Sequence, residues 1–310
     1  MADGGEYGDD TALLVVVLDL HPAAWGVPDN AQSPSPLGLS LNSFLQQFLI
    51  FMNSYALLNA HNEAAVIVCT GSSSTYAFPN PKEPDMNIWE SLTERMQQEA
   101  ARTTTTEDCD SEEGKGSTSG PSGNLTAGLS LALCYIHRRL RVRAGLEAVL
   151  KGEGSLAREK LRAGGARILV VNATGDTHMK YISFMNCVFS AQKLRVSIDS
   201  CCLSPLPSSF LQQAAAITDG AYVRVPRERQ EGLLQYLLSV FLQDSHSRQH
   251  LKMPVLKQID FRPSCFCHQR KVSVGHVCSV CLSVYCRRVG KSCPTCAAVY
   301  GATSAPGAKS

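Results

Sequence analysis

A chain of 310 residues is long enough for one large hydrophobic core and a small second module. Hydrophobic residues make up 44% of it, as in an ordinary globular protein, and the net charge of +2 gives no sign of the one-signed field that marks a dedicated nucleic-acid or membrane-surface binder. The longest apolar stretch, residues 12–20, is strand-sized, well short of the roughly 20 residues a membrane-crossing helix needs.

Residues 1–10 are acidic and Gly-rich, without the basic start and small-residue cleavage site of a signal peptide, which points to the cytosol or nucleus. Residues 12–20 (ALLVVVLDL) are a continuous Val-rich run, the pattern of a central parallel strand buried on both faces. After a Pro-rich loop, Leu37, Leu41, Phe44, Leu45, Phe48, Met52, Tyr55 and Leu58 recur at steps of three and four, one face of a long helix. Residues 64–70 form a second buried strand and 72–78 a short edge strand stopped by Pro79 and Pro81. An amphipathic helix is expected over 86–101. The Thr, acidic and Gly/Ser run at 103–123 has little to bury and reads as a disordered insert. A helix follows over 125–142, then a charged insert at 145–165.

Further strands are predicted at 167–172, 194–199 and 220–225, alternating with helices at 176–192, 206–218 and 228–242. Such alternation implies a doubly wound α/β fold, a mostly parallel sheet covered on both faces. The body spans about 11–243, followed by a polar linker at 244–260, a cysteine-rich module at 261–300 and a tail at 301–310.

The module carries seven of the thirteen cysteines between Cys265 and Cys296. In a reducing compartment such density reads as a metal site rather than a disulfide framework. Two C-x-x-C pairs, Cys278/Cys281 and Cys293/Cys296, can each turn two thiolates onto one ion, completing a closed, structural Zn²⁺ site with no open position for water. Cys267 and Cys286 rank next as ligands, and Cys265 and His268 are spare candidates. The eight could supply two sites, although their order is not read as a clean cross-brace. The scattered Cys69, Cys109, Cys134, Cys187, Cys201 and Cys202 read as buried or inert thiols. Around the module lie Lys252, Lys257, Arg262, Arg270, Lys271, Arg287, Arg288 and Lys291, with Asp260 the only nearby acid. They form either a solvated basic surface or a weak nucleic-acid contact.

Doubly wound sheets bind ligands at the carboxyl ends of their strands. Asp19, His21, Thr126 and Asp176 fall there. No phosphate-binding glycine motif or nucleophile elbow accompanies them, so no catalytic residue is assigned. Asp176 reads as the first residue of the helix that follows it, where the helix dipole favours an acid.

The strand ending in Asp19, the Leu125-Thr126 helix start and the Thr174-Gly175-Asp176 turn resemble the von Willebrand A fold. That family's first metal loop is Asp-x-Ser-x-Ser. Here the serine positions are His21 and Ala23, a departure that counts against Mg²⁺. Together with Cys265-Phe-Cys267-His268, Val277-Cys-Ser-Val-Cys-Leu-Ser-Val-Tyr-Cys286 and Cys293-Pro-Thr-Cys296, the chain over 11–300 resembles the small A-domain subunits of general transcription factor IIH, which end in a C4 zinc finger. Asn42-Ser-Phe-Leu45, Phe51-Met-Asn-Ser-Tyr55 and Ala132-Leu-Cys-Tyr-Ile136 carry the same likeness. The resemblance implies a nuclear, non-enzymatic core subunit used in RNA polymerase II initiation and nucleotide excision repair. It also implies contact with the zinc-binding C-terminal region of the larger A-domain subunit. The competing expectations are a RING-like ubiquitin ligase and a direct nucleic-acid binder.

Overall fold

The computed structural model describes residues 12–25, 37–70, 73–79, 125–151, 165–176, 179, 181–254, 259–268, 270–288 and 290–299. The expected helix at 86–101, the insert at 103–123, most of the insert at 145–165, Cys109, Lys257 and the tail lie outside them.

The body begins with β1 (Leu13–Asp19), a single turn α1 (Pro22–Trp25), α2 (Leu41–Leu58), β2 (Glu63–Cys69) and β3 (Ser74–Phe78). It continues with α3 (Leu125–Lys151), β4 (Ala166–Asn172), α4 (Tyr181–Leu194), β5 (Ser197–Cys202), α5 (Ser209–Ile217) and β6 (Tyr222–Arg224). The strands form a six-stranded sheet in the order β3-β2-β1-β4-β5-β6, parallel except for the edge strand β3. β1 is central: Val16 lies opposite Val66 on one side and Leu169 on the other. Strand order reverses there, which opens a crevice beyond the carboxyl ends of β1 and β4.

Alternation along the strands divides the core into two layers. Val15, Val17, Ile67, Ile168 and Ile198 pack against α3, α4 and α5. Leu14, Val16, Leu18, Val66 and Leu169 pack against α2 and the helical segment after β6. Phe44, Phe48 and Phe51 of α2 are wholly buried, each contributing about 1.5–3 kcal/mol of transfer free energy. On the opposite face α3 approaches β2 closely. A Cβ on Gly128 would stand 2.2 Å from the Cys69 Sγ, so this contact requires glycine.

Several boundaries differ from the sequence expectation. α3 runs to Lys151, into the charged insert. Leu194 ends α4 instead of opening a strand. Arg195 turns the chain at φ 56°, and β5 starts at Ser197. Its buried residues include Ser200, Cys201 and Cys202, whose small side chains hide the strand signal. The expected single helix at 228–242 is three pieces: a 3₁₀ stretch Arg227–Gly232, a turn of α-helix α6 (Leu233–Tyr236) and a π-helical turn Leu237–Phe241. The buried Gln230 side chain donates to the Leu203 and Val225 carbonyls and accepts from Gly38 N at 2.8 Å, holding the first piece against the sheet edge.

The segment read as a linker contains α7 (Ser245–His250), capped by Asp244. Its Arg248 reaches into the body and grips the fully buried Asp199 of β5 with both guanidinium nitrogens, at 2.8 and 2.5 Å. Asp199 also accepts from Ala221 N at 2.8 Å and lies 3.9 Å from the buried Arg167. Arg167 in turn donates to the Leu242 and Gln243 carbonyls. Burial pulls the Arg167 pKa down, and the Asp199 charge opposes that pull. The buried Arg167 and the half-buried Arg248 thus share one carboxylate. The Asp199→Asn variant is expected to lose about 3–5 kcal/mol, because it leaves both guanidiniums uncompensated. Urea unfolding of the full chain measures this.

Candidate metal centre

Asp19 ends β1 in the crevice, and its carboxylate is enclosed by protein donors. Oδ2 accepts from Ala173 N at 3.1 Å, Thr174 N at 2.9 Å and the Thr174 hydroxyl at 2.6 Å. Oδ1 accepts from His21 N at 3.3 Å. Its main-chain carbonyl takes the Trp25 indole N–H at 2.9 Å, which explains why α1 folds over the strand end. The facing loop is braced by Asn172, which accepts from Gly175 N and donates back to the Gly175 carbonyl. Gly175 sits at φ 76°.

Asp176 does not open a helix of its own, as the sequence suggested; α4 starts five residues later, at Tyr181. Its carboxylate instead accepts from the Ser208 and Ser209 hydroxyls and from Ser209 N at 2.8 Å, at the amino end of α5. The dipole argument holds, but for a different helix, because the loop folds back toward α5. Thr126, the third rim position, keeps its hydroxyl oxygen buried with no hydrogen bond among the described residues. Both rim carboxylates are thus already engaged by protein donors.

The scattered thiols sort by burial. Cys69, Cys201 and Cys202 are buried, and burial pushes the Cys69 thiol up to about 12, so they sit in the core as inert small hydrophobes. Cys134, by contrast, is exposed on α3, because a sequence pattern alone does not reveal which helix face a thiol takes.

Beyond the body, the cysteine module is almost without apolar core. Its buried cluster is Cys278, Tyr285 and Cys293, with Cys281 and Ala298 packed against them. A two-residue hairpin, β7 (His276–Val277) and β8 (Val284–Tyr285), is its regular structure among the described residues. Eight side chains gather into two groups. In each, the ligand atoms lie within 4.8 Å of one another: Cys278, Cys281, Cys293 and Cys296 in one, Cys265, Cys267, His268 and Cys286 in the other. The first group is the two C-x-x-C pairs, and the second unites Cys267 and Cys286, the next-ranked candidates, with the spare candidates Cys265 and His268. In the structure the two groups do interleave along the chain, because the β7–β8 hairpin carries Cys286 back to the first loop.

The C-x-x-C turns share one backbone form. Cys278 N donates to the Ser283 carbonyl at 3.0 Å and Cys293 N to the Ala298 carbonyl at 2.8 Å. Leu282 and Ala297 take φ near 60° at equivalent places. Across the site, Cys278 Sγ and Cys296 Sγ are 3.8 Å apart, and Cys281 Sγ and Cys293 Sγ 3.7 Å. A tetrahedral ion with Zn–S bonds of about 2.3 Å has an S···S edge of about 3.8 Å, so the spacing fits. Second contacts orient the thiolates: the Ser283 hydroxyl lies 3.1 Å from Cys281 Sγ, and the Tyr285 hydroxyl 3.2 Å from Cys293 Sγ. Of the basic residues nearby, Arg262 and Lys271 are drawn onto Asp260 at 2.8 and 3.1 Å. Together they hold its carboxyl well below the usual range.

Comparison with known proteins converges on one family. The model of the family described as transcription factor Tfb4 matches residues 11–297. The chain is 34% identical to the Arabidopsis thaliana protein named general transcription and DNA repair factor IIH subunit TFB4, covering 96% of this chain and 91% of that one. It is 32% identical to the general transcription factor IIH subunit 3 of Dictyostelium discoideum, over 93% and 88%. The crystal structure of the TFIIH p34 N-terminal domain superposes with a TM-score of 0.54 at 25% identity, covering 74% of this chain and 98% of that domain.

The closed rim carries its own expectation. Asp19→Asn exchanges an acceptor-only oxygen for an amide and breaks part of the clamp on Ala173 and Thr174, lowering stability by about 1–3 kcal/mol. Added Mg²⁺ should leave the melting temperature of both proteins unchanged in a thermal scan. A rise with Mg²⁺ in the parent alone would mean that the carboxylate serves a cation.

Proposed function

This chain belongs to the transcription factor Tfb4 family, and we propose that it is a non-catalytic subunit of the general transcription and DNA repair factor IIH core. It acts in RNA polymerase II initiation and nucleotide excision repair by holding protein partners, in the nucleus. The observation that carries this reading is the closed crevice. At the place where a doubly wound sheet puts its chemistry, Asp19 and Asp176 are engaged by protein donors, and what remains for function is surface. The first partner in this reading is the larger A-domain subunit, through its zinc-binding C-terminal region.

In the cysteine module, Cys278, Cys281, Cys293 and Cys296 bind a structural Zn²⁺. The soft four-thiolate set and the tetrahedral edge support this, and four protein ligands leave no coordination position for water or substrate. With so few apolar residues to bury, the module depends on the metal for folding energy, about 10–16 kcal/mol for structural zinc in small domains. Functionally the chain divides into the body at 11–243, a connecting segment at 244–260 and the module at 261–300. The ligase reading is not favoured by the family. Interleaved metal groups do not revive it, since they are explained by the hairpin geometry alone.

Affinity purification of the tagged full chain from nuclear extract, read by mass spectrometry, tests the subunit reading. The expected result is co-recovery of the factor IIH core, led by the larger A-domain subunit. Recovery of a free monomer would overturn it. Chelation with excess 1,10-phenanthroline should unfold the module, seen as gained proteolysis within 261–299, while the body keeps its thermal transition.

A further inference from the structure

The structure assigns a second structural zinc to Cys265, Cys267, His268 and Cys286, so that the module is braced by two interleaved ions rather than one. The module contains a backbone repeat that the sequence does not announce. Residues 277–284 and 292–299 are the two C-x-x-C knuckles. Each opens and closes on a paired residue, Val277 with Val284 and Ser292 with Val299, and each has its first cysteine N–H bonded to the carbonyl five residues on. Residues 264–271 have the same form. Ser264 pairs with Lys271, and Cys265 N donates to the Arg270 carbonyl at 2.8 Å. The first cysteine of each knuckle, Cys265, Cys278 or Cys293, is almost wholly buried.

Aligned on this frame, the second ligand position is Cys281 in the second knuckle, Cys296 in the third and His268 in the first. The first knuckle is therefore C-x-x-H. His268 stands where its siblings hold a thiolate, and an imidazole nitrogen is an accepted zinc ligand at that place. The two remaining ligands come from inside and outside the loop. Cys286 Sγ lies 3.3 Å from His268 Nδ1, near the sulfur–nitrogen edge of a zinc tetrahedron, and 3.3 Å from Cys267 Sγ, shorter than the sulfur–sulfur edge of about 3.8 Å. All four donor atoms fall within 4.8 Å of one another.

The hairpin explains why Cys286 arrives there. Phe266 N donates to the Val284 carbonyl at 2.7 Å, and its ring meets Tyr285 edge-on at 6.1 Å, so β8 lies alongside the first knuckle. β8 leads directly into Cys286, while Tyr285 turns to touch Cys293 of the other group. One strand thus serves both groups.

Zinc analysis of the purified full chain tests the assignment, and it does so apart from the subunit reading, which concerns partners and not metal content. The parent is expected to carry two zinc ions per chain. Cys267→Ser with Cys286→Ser should reduce that to one, with the four-thiolate site still filled. If that variant does not fold, His268→Cys keeps the question answerable. In the Co²⁺-substituted protein it converts a three-thiolate site to four, and the thiolate-to-cobalt charge-transfer absorption should rise. One zinc in the parent, unchanged zinc in the double variant, or an unchanged cobalt spectrum in His268→Cys would each overturn the proposal.

Discussion

A carboxylate buried at the end of a central strand needs either a cation or a full set of donors, since burying it unpaired costs far more than a fold can bear. Asp19 has donors. Two backbone amides and a hydroxyl from the 173–174 loop converge on one oxygen, and a third amide meets the other. The arrangement ties the carboxyl ends of β1 and β4 together across the point where the sheet reverses direction. The crevice is thereby closed by the same bonds that hold the sheet ends in register. Asp176 repeats the solution a few residues away by capping α5.

The carboxyl-terminal third is fixed to the body by polar contacts. Arg248 of α7 makes a bidentate bond to Asp199 inside the sheet, and the Gln213 side chain donates to the Asp260 carbonyl at 2.6 Å. The connecting segment is therefore held to the body at two points, on β5 and on α5. The ion pair is an expensive way to fix a helix, because desolvating Asp199 and Arg167 offsets much of the Coulombic gain. What it provides is a position specified by hydrogen-bond geometry in addition to the apolar packing of Met253 against the core.

The cysteine module solves a different problem. It has a three-residue buried cluster and no helix among its described residues, so hydrophobic burial supplies little. Two groups of four side chains that could hold metal ions stand where such a core would be. Three knuckles of one backbone design present ligands at the same two places in each turn, and the short hairpin brings Cys286 to the first of them. Positive φ at Leu282 and Ala297 is the backbone strain this design accepts.

Much of the body was legible in the sequence. The unbroken apolar runs at β1 and β4 announce strands buried on both faces, and the three- and four-residue steps of α2 announce the helix that covers them. The two C-x-x-C pairs were equally plain, because a ligand pair in one turn is a local feature. β5 was displaced because Ser200, Cys201 and Cys202 carry no strand-like signal. Asp176 caps a distant helix and not the one that follows it, and its partners, Ser208 and Ser209, are 32 and 33 residues away, beyond the reach of local pattern. Cys265 and His268 stay only spare candidates in the sequence for the same reason: their group closes only when the hairpin returns Cys286. Periodicity and turn chemistry are properties of neighbouring residues, and the sequence by itself determines them. Which carboxylate meets which donor, and which thiols share an ion, depends on segments brought together by packing, and only the tertiary structure decides that.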